Sequence, residues 1–230
     1  MKKVITVLIL AFLVFSCSKK KDAENLNKTD ERGRSALHLS ILEGDEKFEK
    51  LINDGADINL KDKEGDTPLH YAVKFKREKP FQMLLNKKAV VNAVGNYGTT
   101  PLSAAIQVKQ YKMAETLIEK GADLNIPNSA GVTPLMFAAN GAKKPAPEMV
   151  KFLLKNGAKV NEVDLLGRSA LFYAVGKIWV DVTEILVNAG ADVNIKENQG
   201  RTVEYLLTGE GLMEEREKIR GMINRSGKNG

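Results

Sequence analysis

Apolar residues return at intervals of three and four in a series of short segments. These are Phe48, Leu51 and Ile52; Phe81, Leu84 and Leu85; Ala114, Leu117 and Ile118; and Val150, Leu153 and Leu154. That spacing puts them on one face of a helix. A fifth segment keeps Leu186 and Val187 but has Thr183 in the first place. Ahead of each segment lies a shorter apolar stretch holding Leu37, Leu69, Leu102, Leu135 or Leu171, which predicts a first, short helix that packs on the second. Thr67-Pro68, Thr100-Pro101 and Thr133-Pro134 begin three of these. A threonine hydroxyl caps a helix start, and proline suits the first turn because the N–H it lacks has no partner there.

The pairs recur with a fixed period. GRSALH at Gly33 returns as GDTPLH at Gly65, GTTPLS at Gly98, GVTPLM at Gly131, GRSALF at Gly167 and GRTVEY at Gly200, in steps of 32 to 36 residues. A second mark keeps phase with the first: GADIN at Gly55, KAVVN at Lys88, GADLN at Gly121, GAKVN at Gly157 and GADVN at Gly190. Glycine there suits a left-handed residue that closes the second helix. Lys88 departs from that rule.

Period and box together resemble the ankyrin repeat and its T-P-L-H-x-A signature. The resemblance covers about residues 30 to 224, as five repeats and a degenerate sixth. It implies an all-α ankyrin-repeat solenoid of helix–turn–helix–loop units with β-turn tips. It also implies that His38 and His70, fourth in their boxes, bond back toward the Ser or Thr that starts the helix. With one cysteine and no third histidine, a zinc site lacks ligands. Tyr71, Phe137 and Tyr173 share one repeat position and are expected in the core between repeats. Trp179 is expected to buttress repeat four. Residues 143–148 (KKPAPE), with two prolines, are expected to protrude as a loop, and Leu212 to Ile223 to form a C-terminal capping helix.

The first sixteen residues differ in kind. Lys2 and Lys3 precede an apolar run from Val4 to Phe15, too short for the ~20 residues that span a bilayer, so the segment reads as a signal peptide. Cys17 is the only cysteine in the chain. A small residue just before it resembles a bacterial lipobox: Val14 and Ser16 fit, and Phe15 departs. The resemblance implies lipidation at Cys17 and a place in a bacterial cell envelope. The expected divisions are 1–16 signal peptide, 17–29 flexible tether, 30–226 repeat domain and 227–230 frayed tail. Removing Lys2 and Lys3 lowers the formal charge from +6 to +4, a small excess that gives no nucleic-acid signature.

No HExxH, GxSxG, CxxC or phosphate-cradling loop is present. The sequence therefore implies no catalytic residue, no metal and no cofactor, and points to surface. A monomer that binds another protein is expected, with an immunity-type inhibitor of a toxic or secreted effector as the alternative. In this family partners dock on loop tips and first-helix ends. The positions so implied include Lys63, Glu64, Asp66, Thr99 and Arg168 at tips, and Lys74 and Val108 near helix ends. Several of the positions are large and apolar, notably Phe75, Tyr97, Leu165 and Leu166. The two leucines either stand exposed as anchors or cover a neighbouring loop.

Overall fold

The computed structural model describes residues 26–141, 145–208 and 211–227, apart from the side chains at 45 and 46. Cys17, the signal segment, Lys143, Lys144 and residues 228–230 lie outside the described residues. The chain divides into two compact units, Met1–Asn96 and Tyr97–Gly230. Among the described residues there are helices and two isolated bridges, Thr29 to Ser35 and Val163 to Ser169, and no strand.

The first unit holds α1 (Ala36–Glu43), α2 (Asp45–Asp54), α3 (Pro68–Lys74) and α4 (Glu78–Asn86). Each helix pair packs on itself and on the next pair, α1 against α3 and α2 against α4. Leu37, Ile41, Phe48, Leu69, Val73, Phe81 and Leu84 are buried between them. Each such side chain contributes roughly 2 kcal/mol. A helix pair alone could not enclose these faces, so stability comes from stacking. The fold starts before residue 30: Asn27 Oδ1 accepts the N–H of Asp57 at 2.9 Å, and Thr29 bridges to Ser35. Asn27 to Thr29, expected in the tether, thus belong to the first repeat, because the loop of that repeat needs an acceptor.

The second unit holds α5 (Pro101–Gln107), α6 (Tyr111–Glu119), α7 (Pro134–Asn140), α8 (Pro147–Lys155), α9 (Ala170–Gly176) and α10 (Val180–Asn188). A 3-10 turn (Val203–Leu207) and α11 (Met213–Ser226) close it. α11 buries Ile219 and Ile223 against α10 and the 3-10 turn, as a cap should. Thr183 lies wholly inside α10's packed face, and among the described residues its hydroxyl finds no partner.

The helix-start boxes work as the resemblance implies. His38 Nδ1 accepts the N–H of Ser35 at 3.1 Å and faces its hydroxyl at 2.9 Å; His70 does the same with Thr67 at 3.1 and 2.9 Å. An Nδ1 that accepts a backbone N–H leaves the proton on Nε2, so His38 Nε2 donates to the carbonyl of Asp66 in the next repeat at 3.2 Å. One imidazole ties a helix start to its neighbour. Burial lowers the pKa of His38, which favours this neutral form.

Gly55, Gly121, Gly157 and Gly190 have φ between 84° and 94°, and Lys88 adopts the same region at 62°. Three further expectations fail. Pro147 and Glu148 do not protrude: Pro147 opens α8, where its missing N–H is no loss, and Ala146 is buried. Tyr71, Phe137 and Tyr173 are half-buried, with the two phenols turned to carboxylates that a closed core would not hold. Asp66 and Thr99, expected on exposed tips, are buried. Trp179 does buttress repeat four, donating from Nε1 to the Asn140 carbonyl at 3.3 Å.

Candidate binding surface

Most tips are turns fixed by their first side chain. Asp164 Oδ1 accepts the N–H groups of Leu166 and Arg168, both at 2.9 Å, and Asn128 Oδ1 holds Ala130 and Val132 at the same distance. The fourth residue is glycine, because φ is positive there and the next tip comes close. A Cβ on Gly131 would sit 2.8 Å from the nitrogen of Leu165.

In the Tyr97–Gly230 unit this closeness makes a ladder. Ser129 N–H donates to the Tyr97 carbonyl at 2.9 Å, Leu165 N–H to that of Ala130 at 3.0 Å, and Asn198 N–H to that of Leu166 at 2.9 Å. The backbone of Leu165 and Leu166 is therefore held from both sides. Their side chains are nevertheless 69% and 51% exposed, and Tyr97, with φ 52°, is 77% exposed. Of the two alternatives, the leucines stand exposed. Such apolar side chains on a stiffened backbone lose little freedom on docking, which suits them to anchor a partner.

Charges near this row are bound to one another. Arg168 donates to Asp164 Oδ2 from Nε at 2.9 Å and Nη2 at 2.7 Å, Tyr173 O–H donates to the same oxygen at 2.6 Å, and the guanidinium lies over the tyrosine ring at 4.8 Å. Burial alone would raise the Asp164 pKa, but the Arg168 and Tyr173 hydrogen bonds prevail and lower it. Burial, with that same bond, pushes the Tyr173 phenol far up. Arg201 pairs likewise with Glu197 at 2.9 Å. The exposed tip residues Tyr97, Ser129, Ala130, Leu165, Leu166, Asn198 and Gln199 carry no charge. Arg168, implied as a contact, is half-buried and turns its guanidinium to Asp164 and Tyr173. Val108 is half-buried at the opposite end of α5 from the tips.

In the Met1–Asn96 unit the exposed tip residues Glu31, Arg32, Lys63 and Glu64 are all charged. Lys74 reaches from the end of α3 to the buried carboxylate of Asp66, whose Oδ1 accepts the N–H of Asn96 at 3.0 Å. Phe75 is half exposed, with its ring 5.7 Å from that of Tyr71. The carboxylate–arginine pairs Asp30–Arg34, Asp164–Arg168 and Glu197–Arg201 went unnoticed in the sequence. Their signal was there, as an acidic residue four places before an arginine at the repeat period. The inter-helix turn gave no such signal: it takes left-handed Lys76, Lys109 and Ile178 without a glycine to announce it.

A family model for ankyrin repeats in three copies matches residues 6–94, 45–128, 87–164 and 124–197. The chain belongs to the ankyrin-repeat family. Ankyrin repeats are generally modules that bind other proteins. Over 59 residues this ankyrin-repeat chain is 36% identical to human transient receptor potential cation channel subfamily A member 1. The match takes in 26% of the chain and 5% of the channel, so the chain spans a small part of that relative.

Proposed function

We propose that this ankyrin-repeat protein is a non-catalytic binding module, held in a bacterial cell envelope by lipid on Cys17. It grips another protein with the tip row of the Tyr97–Gly230 unit. The observation that carries the binding reading is the pair Leu165 and Leu166, exposed on a turn whose backbone is bonded on both sides. Tyr97 supplies a third anchor two tips away. Because neighbouring charges are paired internally, the contact is apolar and little affected by salt. The apolar run before Cys17 supports the anchoring, and a lone cysteine has no disulfide to form within the chain.

The two halves of the reading are tested separately. A fatty-acid analogue fed to cells should label the wild type and miss Cys17→Ser; label kept by the variant contradicts the anchor. A photo-crosslinking residue at position 165 should trap one protein at low and at high salt, and the same residue at exposed Lys120 should not. Equal trapping at both positions contradicts the surface.

A further inference from the structure

Both histidines of the chain stand in the Met1–Asn96 unit. In the Tyr97–Gly230 unit the same place of the helix-start box holds Ser103, Met136, Phe172 and Tyr205, and none of these gains or loses a proton between pH 7.5 and 5.5. Ser103 shows that the helix start needs no imidazole, since its Oγ takes the N–H of Thr100 at 2.9 Å. An imidazole there adds two things: a bond to the next repeat and a group that can take up a proton.

His38 is wholly buried, with Nδ1 3.1 Å from the Ser35 nitrogen and Nε2 bonded to the Asp66 carbonyl. Protonation would set an N–H on Nδ1 against the N–H of Ser35 and leave a charge out of reach of water. The carboxylates around it are already engaged. Asp30 holds Arg34, Asp62 Oδ2 takes the Tyr71 O–H, and the Asp66 carboxylate is turned to Lys74, to the N–H of Asn96 and to the Gly95 position, where it meets His70 Nε2. The Tyr71 ring meets that of His38 edge-on at 5.0 Å, and Lys47, Glu49, Lys50 and Asp54 of α2 are exposed.

We propose that His38 is an acid-sensitive latch between the first two repeats: mild acid loosens the Met1–Asn96 unit and leaves the Tyr97–Gly230 unit as it is. Burial holds the pKa of folded His38 below its ordinary value of 6.5, outweighing the Asp66 carbonyl bond, which acts the other way. The unfolded chain therefore binds the extra proton. The stability contributed by the neutral ring is whole above pH 6.5 and is lost as the pH falls below it. Carboxylates take up protons only near pH 4, so the response of the latch comes first.

The test is hydrogen exchange of the full chain, read by mass spectrometry at pH 7.5 and 5.5, with rates divided by those of the unfolded chain at each pH. Peptides from α1 to α3 should open about ten-fold more often at pH 5.5, the excess of protonated over neutral imidazole in an unfolded chain. Those from α9 and α10 should not change. His38→Ser should abolish the response, because serine keeps the helix start as Ser103 does and takes up no proton; His70→Ser should keep it. No response, an equal response in both units, or one that survives His38→Ser overturns the inference. A second measurement needs no variant. The imidazole signals of His38, followed by NMR in the folded wild type, should titrate below pH 6.5, and a midpoint at or above that value overturns the inference.

Discussion

A Cβ on Gly95 would stand 2.2 Å from Asp66 Oδ1 and 2.9 Å from His70 Nε2. Gly95 is where most other tips carry the aspartate or asparagine that fixes the turn. Asp66, from the preceding helix-start box, fills that space and accepts the N–H of Asn96. The missing side chain and the buried carboxylate are two parts of one arrangement.

Gly95→Ala should therefore destabilise the protein by about 2–3 kcal/mol, the cost of forcing an atom into a packed site. The backbone at Gly95 does not have a positive φ, so the loss would come from space and not from strain. Denaturant unfolding measures it. A loss no larger than that of an exposed Gly→Ala change would show that Asp66 can move aside.

Lys88 holds a left-handed backbone at a position where glycine stands in four other repeats. Relief of roughly 1–2 kcal/mol of strain outweighs the entropy that glycine adds to the unfolded chain, about 0.5–1 kcal/mol. Lys88→Gly should raise the melting temperature slightly. A fall would mean that the lysine makes a stabilising contact in solution.

The Asp164 pKa is lowered in the folded protein, so its contribution to stability is present above the ordinary carboxylate value of 3.8 and is lost as the pH falls below about 4. Asp164→Asn keeps the turn, as Asn128 does in the preceding tip, and removes the ion pair with Arg168. Stability at pH 7 should drop by about 1 kcal/mol, with a flatter loss below pH 4. An unchanged acid limb would assign the sensitivity to other carboxylates.

The repeat period, the helix-start boxes and the glycine caps were legible in the sequence because each is a local demand that one residue type meets best. Asp66 was misread for the same reason. As the second residue of its box it looked like a loop carboxylate, and only the absence of a side chain at Gly95, in the following tip, shows why it is buried. Exposure of Leu165 and Leu166 was not legible either. It depends on whether a neighbouring loop lies over them, and the backbone ladder that holds them involves N–H and C=O groups common to all residues.

The central claim is that these two leucines bind and do not hold the fold together. Leu165→Ser with Leu166→Ser should weaken partner capture from membranes by about 2 kcal/mol or more, the range of interface hot spots. The unfolding midpoint of the same variant, measured in parallel, should shift little, since exposed side chains bury little on folding. Undiminished capture together with a clearly lowered midpoint would contradict the account.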